Sequence, residues 1–309
     1  TCGATAADGT MDCTVPVTFE PQMPGTRSAQ LIVNSSGSSA GAETLALAGT
    51  ASGAAMTVDS SATGTTTLGS GIAPISVAVD GASNLYTMDA SSGKLLSISR
   101  ANVTTQLPGT IPAGASQIAV DAAGNVYAVG TGSSSITRLT LTAPGTYTAG
   151  TISYAPPASP AAPQAIAVDG AGNLYVADKT NLAVYEIPAG TASVPSQPLT
   201  AVATGLTNPV ALALDGEGDL FIADQGAGAV VKVSGATGAQ TTVLSGIAPV
   251  GIAADAAGDV YVQDSGTGSV MEIPVSGPGT AVLTGLTAPT GLAVDGNGNI
   301  WVANGAPAT

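Results

Sequence analysis

The sequence predicts an all-β protein in which most of the chain forms a closed ring of short sheets. Three observations predict this fold. The chain has 309 residues, of which 44% are hydrophobic and only 8% are charged, and it contains 41 Gly and 20 Pro. This composition is typical of a protein with a packed core and many turns. Six segments align with one another without gaps. Each segment has the pattern of short strands separated by turn residues.

The six copies are defined by residues at fixed offsets. Each copy begins with an aspartate at the end of an apolar run: Asp80, Asp121, Asp169, Asp215, Asp255 and Asp295, at spacings of 41, 48, 46, 40 and 40 residues. Six residues later each copy has an aromatic: Tyr86, Tyr127, Tyr175, Phe221, Tyr261 and Trp301. Nine residues after the aspartate come Asp89, Gly130, Asp178, Asp224, Asp264 and Asn304. Such regular offsets indicate an internal repeat.

Each repeat contains the residues of four strands. The apolar run at 166–168 predicts a buried first strand, and residues 169–173, Asp-Gly-Ala-Gly-Asn, are typical of a tight turn. A second strand follows at 174–178, while runs such as 229–233 and 240–244 predict the third and fourth strands. Four strands in about 40 residues are typical of one blade of a β-propeller.

The repeats resemble NHL repeats, most clearly at residues 285–304, Gly-Leu-Thr-Ala-Pro-Thr-Gly-Leu-Ala-Val-Asp-Gly-Asn-Gly-Asn-Ile-Trp-Val-Ala-Asn. The resemblance covers residues 70–309 and implies a six-bladed β-propeller. NHL repeats usually carry Asn-x-Arg or His-Arg before the third strand. This chain has other residues there, including Lys94, Ile136, Ala183, Val230 and Val270, which argues against RNA binding of the kind found in some animal NHL proteins.

The sixth repeat lacks its outer strands, because only five residues follow Asn304. Two strand-like runs, 55–59 and 65–68, lie upstream of the first repeat. We therefore expect a propeller domain of residues 54–309, whose last blade is closed by strands from 54–69, so that no sheet edge is left free.

Residues 1–53 do not match the repeat. The runs 13–21, 25–33 and 44–50 predict three alternating strands, which resemble the last strands of Ig-like domains of bacterial surface proteins. An Ig-like sandwich needs about seven strands. The segment is therefore predicted to be a partial Ig-like β-sandwich, and a strand from another chain is one way to complete it.

Charge and composition exclude several function classes. The chain has 6 basic and 20 acidic residues, a net charge of −14, which disfavours nucleic acid and anionic membrane surfaces. Histidine is absent, which excludes Ser-His-Asp catalysis and imidazole-based zinc sites. No apolar run reaches the roughly 18 residues of a membrane span, and the first residues do not resemble a signal peptide. Cys2 and Cys13 predict either a local disulfide or two free thiols. The scarcity of lysine, the many Ser, Thr, Gly and Ala residues and the two cysteines together favour an extracellular or cell-surface location.

Two sets of aspartates are candidate ligand groups. Asp89, Asp178, Asp224 and Asp264 end the second strands, so they should lie on one face of the ring as binding-face candidates for a basic partner or cation. Alternatively, each carboxylate caps its own loop. Turns such as 215–219 and 295–299 resemble the opening of a calcium loop, but a tight hairpin explains the same spacing. The repeated aromatics are expected to pack between blades.

These observations predict a non-enzymatic binding or adhesion module that uses the loop faces of the propeller. No catalytic residue, metal or cofactor is predicted, because small or neutral residues occupy the expected channel positions: Ser76, Gln117, Ala165, Ala211, Gly251 and Gly291. Protein, glycan or copies of the same chain are the expected partners. The alternative is a self-assembling extracellular subunit with strand completion between subunits, and a less favoured one is an enzyme similar to propeller lactonases or lyases.

Overall fold

A computed structural model describes residues 68–304, apart from 70, 154–161, 191–198, 256–257, 276–277 and 287, together with the backbone of four N-terminal strands. The chain divides into two units, Thr1–Ala55 and Met56–Thr309. Every regular element among the described residues is a β-strand, so the all-β prediction is confirmed. These residues include no helix that is long and apolar enough to span a membrane.

The first unit contains two antiparallel strand pairs, β1 (Cys2–Thr5) with β2 (Met11–Cys13), and β3 (Gly25–Asn34) with β4 (Ala42–Ala51). The predicted strands 25–33 and 44–50 lie within β3 and β4, whereas most of the predicted strand 13–21 lies outside the described residues. In the first pair Cys2 stands directly opposite Cys13. The Ig-like assignment and the disulfide stay predictions.

The second unit contains five four-stranded antiparallel sheets, each formed by consecutive strands. The first blade consists of β5 (Pro74–Val79), β6 (Leu85–Asp89), β7 (Lys94–Ile98) and β8 (Thr104–Gln106). The second consists of β9 (Ala115–Val120), β10 (Val126–Gly130), β11 (Ser135–Ala143) and β12 (Thr146–Ser153). The third consists of β13 (Pro163–Val168), β14 (Leu174–Asp178), β15 (Ala183–Ile187) and β16 (Ala201–Ala203). The fourth consists of β17 (Pro209–Leu214), β18 (Leu220–Asp224), β19 (Ala229–Val233) and β20 (Gln240–Ser245). The fifth consists of β21 (Pro249–Ala254), β22 (Val260–Asp264), β23 (Ser269–Ile273) and β24 (Thr280–Leu283).

The sixth repeat forms only a two-stranded sheet, β25 (Pro289–Val294) with β26 (Ile300–Asn304). The propeller fold is therefore confirmed, but the prediction of six full blades is corrected to five four-stranded blades and one two-stranded sheet within the described residues. The predicted outer strands of the sixth blade at 55–59 and 65–68 lie outside the described residues, except for Leu68.

The first strands of the repeats form a closed ring. Each of β5, β9, β13, β17 and β21 contacts the next first strand along the chain, and β25 contacts both β21 and β5. At the seam between the last and first repeats, the Thr290 hydroxyl donates a hydrogen bond to the Pro74 carbonyl oxygen at 2.9 Å. The Ser83 hydroxyl of the first repeat also hydrogen-bonds the Asp295 carboxylate of the last. The two ends of the repeat array are thus joined directly.

The hydrophobic core consists of clusters between adjacent blades. Tyr127 of the second blade packs with Ile166, Leu174 and Val176 of the third. Phe221 of the fourth blade packs in the same way with Ile252 of the fifth. Burial of one such aliphatic side chain contributes about 1.5–3 kcal/mol. The repeated aromatics therefore pack between blades, as expected from the sequence.

Gly291 is required where β25 approaches β5 at the seam. A Cβ atom at residue 291 would lie 2.8 Å from the Ser76 Cα and 3.0 Å from the Val77 nitrogen, both backbone atoms that cannot move independently. The equivalent positions in the third and fourth blades are Ala165 and Ala211, both buried. The seam therefore requires a closer approach of the inner strands than those blades do.

We predict that Gly291→Ala lowers the free energy of unfolding by about 1–3 kcal/mol, because the added methyl group forces the seam apart. Chemical denaturation of the purified chain measures the change. Gly81→Ala is the matched control, since a Cβ at residue 81 would meet nothing within 4 Å. Equal unfolding free energies for the two variants would contradict this account of the seam.

Candidate functional site

The centre of the ring is closed by a glutamine. The Gln117 side chain extends from the second blade, where its Oε1 accepts a hydrogen bond from the Ile166 N–H at 2.9 Å and its Nε2 donates to the Leu212 carbonyl oxygen at 3.3 Å. The cavity beside it, which is lined in part by Ser76 and Thr290, has a volume of about 10 Å³. That space admits about one water molecule. An organic substrate therefore does not fit in this cavity.

The aspartates that lead the six repeats hold the hairpin between the first and second strands. In each repeat the Oδ1 atom accepts a hydrogen bond from the N–H four residues later at 2.8–3.0 Å. In five repeats Oδ1 also accepts the N–H two residues later. Backbone N–H groups of the turn therefore surround these oxygen atoms, as is typical of a tight hairpin. Within the described ranges no group of three or more acidic or cysteine side chains is arranged to hold a metal ion.

The four binding-face candidates are buried and accept hydrogen bonds within their own blades. Asp89 accepts the N–H groups of Ala73 and Ser91, and Asp178 accepts those of Ala162, Thr180 and Asn181. Asp224 accepts the N–H groups of Thr207 and Asn208, and Asp264 those of Ala248 and Gly266. Each carboxylate therefore joins the start of its first strand to the end of its second. Their role in binding a partner stays a prediction.

Hydrogen bonding also changes the acidity of these groups. Burial alone would raise the pKa of the Asp89 carboxyl, but hydrogen bonds from Ser92, Ala73 and Ser91 outweigh it and lower the pKa to about 2. The pKa of Asp264 is lowered in the same way, because hydrogen bonds from Ala248, Thr267 and Gly266 outweigh its burial. Both groups are held in their ionised forms.

The residue type at one third-strand position beside the leading aspartate differs from repeat to repeat. The third strand places one residue directly opposite the repeated aromatic: Ser97, Arg138, Glu186, Lys232 and Glu272 in the first to fifth blades. This position lies beside the turn carboxylates and is half-buried in all five blades. It is therefore the place where the repeats can carry different chemistry on the same backbone.

In the fourth blade the residue at this position is a lysine, which neutralises the charge of a turn carboxylate. Lys232 forms a salt bridge with Asp219 and lies 5.3 Å from the centre of the Phe221 ring. Burial would raise the pKa of Asp219, but its hydrogen bond and charge interaction with Lys232 lower it instead. The pair thus forms a compensated unit that needs no further ligand.

In the fifth blade the same position carries a third carboxylate. Glu272 is half-buried beside Asp255 and Asp259, and the Tyr261 hydroxyl donates a hydrogen bond to Glu272 Oε1 at 3.4 Å. Burial and the nearby charges of Asp259 and Asp255 raise the pKa of Glu272. Burial and the neighbouring carboxylates also raise the pKa of the Tyr261 hydroxyl. In the described part of the chain no Lys or Arg forms an ion pair with Asp259 or Glu272.

This group, defined as the fifth-blade acidic cluster (Asp255, Asp259, Tyr261 and Glu272), was missed by sequence reasoning. The alternating charged and apolar pattern of residues 269–273 is typical of a half-exposed strand and does not by itself indicate a function. The signal that could have found the cluster is the alignment of the repeats. Residue 259 is aspartate where four other copies have asparagine, and residue 272 is glutamate where the fourth copy has Lys232.

The fold is shared with solved propeller structures. No family model and no curated protein matches the chain. An inactive variant of virginiamycin B lyase from Staphylococcus aureus bound to quinupristin is similar with a TM-score of 0.58 and 16% identity, over 75% of this chain and 78% of that one. A gluconolactonase from Xanthomonas campestris has a TM-score of 0.59 and 16% identity, over 76% of this chain and 84% of that one. A nidogen/laminin complex has a TM-score of 0.55 and 18% identity, over 66% of this chain and 76% of that one.

These similarities correct the predicted function. The prediction of a non-enzymatic binding or adhesion module is contradicted, because the lyase and the gluconolactonase are enzymes on the same fold. Catalytic residues were sought only at the channel positions, one of which, Gln117, fills the hub. The nidogen/laminin structure is of a propeller protein in complex with a protein partner. At 16–18% identity the similarity shows the fold alone.

We predict that Asp89→Asn lowers the free energy of unfolding by about 2 kcal/mol at pH 6, since it removes charged hydrogen bonds within the first blade. The folded-state pKa of Asp89, about 2, lies below its ordinary value of 3.8, so its stabilising effect is complete above that ordinary value and is lost as the pH falls toward 2. Urea denaturation at a series of pH values measures the difference. Exposed Glu217→Gln is the control. A difference between wild type and Asp89→Asn that does not shrink on acidification would show that ionisation of Asp89 is unimportant.

Proposed function

We propose that the protein is a hydrolase that opens neutral cyclic esters, such as sugar lactones, at the fifth-blade acidic cluster. The observation that carries the proposal is the placement of Glu272 beside two aspartates with its pKa raised. A partly buried carboxyl group with a raised pKa is a candidate for acid–base catalysis. The gluconolactonase of similar fold supports the choice of substrate class.

The two reacting groups are assigned from their surroundings. Asp259 Oδ1 accepts a hydrogen bond from the Val275 N–H at 2.9 Å, which orients the carboxylate that we assign as the general base. Glu272 is half-buried and faces two like charges, which favour the protonated form needed by a general acid. The Tyr261 hydroxyl contacts one Glu272 oxygen and so fixes the orientation of the carboxyl group.

The proposed reaction is a general acid–base hydrolysis. Asp259 accepts a proton from a water molecule while the oxygen of that water bonds to the ester carbonyl carbon. The ring C–O bond then breaks, and Glu272 donates its proton to the departing oxygen. The product is a hydroxy acid, and solvent returns the proton from Asp259 to Glu272. No histidine is needed, whereas the lyase of similar fold is described as catalytically inactive when one histidine is replaced by alanine.

The overall charge favours a neutral substrate and an acidic product. The chain carries a net charge of −14, which repels anions that approach the surface. A lactone is neutral, and the hydroxy acid formed from it ionises at neutral pH. The negative charge of the protein therefore does not hinder binding of the neutral substrate, and it favours release of the anionic product.

Other features stay proposals. We propose an extracellular or cell-surface location, a disulfide between the opposed Cys2 and Cys13, and completion of the sixth blade by residues 54–69. The directly opposed register of the two cysteines supports the disulfide, because neighbouring antiparallel strands bring opposite residues to the required separation.

We predict that the purified chain accelerates hydrolysis of glucono-δ-lactone and that Glu272→Gln lowers this rate about 100-fold or more, because the general acid is lost. Proton release in a weakly buffered indicator assay, corrected for spontaneous hydrolysis, measures the rate. The wild-type rate should fall as the pH rises through the raised pKa of Glu272, since the acid must be protonated.

The matched control is Glu186→Gln. Glu186 occupies the same position in the third blade, opposite Tyr175, but residue 173 there is asparagine. This variant should keep the wild-type rate and pH profile. Equal losses in the two variants, or no catalysed hydrolysis by the wild type, would overturn the proposed function.

A further inference from the structure

A slot between the second and third blades lies apart from the fifth-blade acidic cluster. It has a volume of about 40 Å³ and is lined by Tyr127, Arg138 and Ile152 of the second blade and by Leu174, Ile187 and Pro188 of the third. One water molecule needs about 10–15 Å³ of such space. The slot therefore has room for about three waters, or for a small organic group of three or four heavy atoms.

Arg138 brings a positive charge to this slot. Its Nε atom is buried and has no hydrogen-bond partner, and no carboxylate forms a salt bridge with Arg138 among the described residues. Asp121, which like Arg138 interacts with Tyr127, accepts a hydrogen bond from the Tyr127 hydroxyl at 3.0 Å. Arg138 is one of only 6 basic residues in a chain with 20 acidic ones. A buried guanidinium N–H without an acceptor is costly, so an acceptor from outside the chain is expected to fill the place.

The backbone around the slot is suited to a small ligand. Arg138 stands opposite Tyr127 on one side and opposite Gly150 on the other, so no side chain at residue 150 crowds the guanidinium. Gly172 and Gly190 also line the slot, and both have positive φ. The remaining walls are aliphatic, with Leu174 and Ile187 almost fully buried. The slot therefore combines one cationic group with apolar walls.

We propose that this slot binds a short aliphatic carboxylate, of which acetate is the simplest member. The planar guanidinium of Arg138 would hold the two carboxylate oxygens, and the aliphatic walls would contact the alkyl group. Inorganic anions of similar charge lack the apolar part that those walls can bury. This site is independent of the proposed hydrolysis, because it lies between other blades and uses none of the same residues.

The test is isothermal titration calorimetry, in which the full chain is titrated with sodium acetate. A titration with sodium chloride at equal ionic strength is the comparison. We expect saturable binding of acetate, at least 10-fold weaker binding in Arg138→Gln, and no saturable binding of chloride. Arg138→Lys keeps the charge without the planar fork and should bind at an intermediate strength.

Arg100→Gln is the matched control, because Arg100 is an exposed basic residue in the turn after β7. It should bind acetate as the wild type does. Absence of saturable acetate binding, equal binding of chloride, or equal weakening in Arg100→Gln and Arg138→Gln would overturn the proposal. Circular dichroism of each variant identifies one that has failed to fold, in which case the Arg138→Lys result decides.

Discussion

The leading aspartate of each repeat, which follows the first strand, is the constraint on which the propeller depends. Its Oδ1 atom accepts the N–H four residues later in all six repeats, and this fixes the hairpin between the first and second strands. The fixed hairpin sets the register that places each aromatic, such as Tyr127 or Phe221, against the next blade. Ring closure follows, because equal repeats with equal offsets pack in the same way around one axis.

A constant turn allows chemistry to vary beside it. The third-strand residue next to the turn changes from Arg138 to Glu186, Lys232 and Glu272 in successive blades without a change in backbone pairing. Lys232 compensates its turn, Arg138 borders a slot, and Glu272 adds a third negative group. The proposed hydrolase site and the proposed carboxylate site are therefore two variants of one structural position.

Repeats could be predicted from the sequence because their signals are local. Aspartate, glycine and the aromatic recur at fixed offsets, and the strands at 174–178 and 229–233 were found where predicted. The sites could not be predicted in this way. Gln117 was recognised only as a neutral channel residue, although its length allows it to reach two other blades and fill the hub. Whether Glu272 faces a lysine or two aspartates depends on cross-strand register, which the alternation of one strand does not reveal.

The most direct test of the account is the pKa of Glu272 measured by ¹³C NMR of the glutamate side-chain carbons, since the chain has only five glutamates. The account predicts a value above the ordinary 4.5 in the wild type and a lower value in Asp259→Asn, because one of the neighbouring negative charges is removed. A wild-type value at or below 4.5, or one that is unchanged in Asp259→Asn, would contradict the assignment of Glu272 as the general acid.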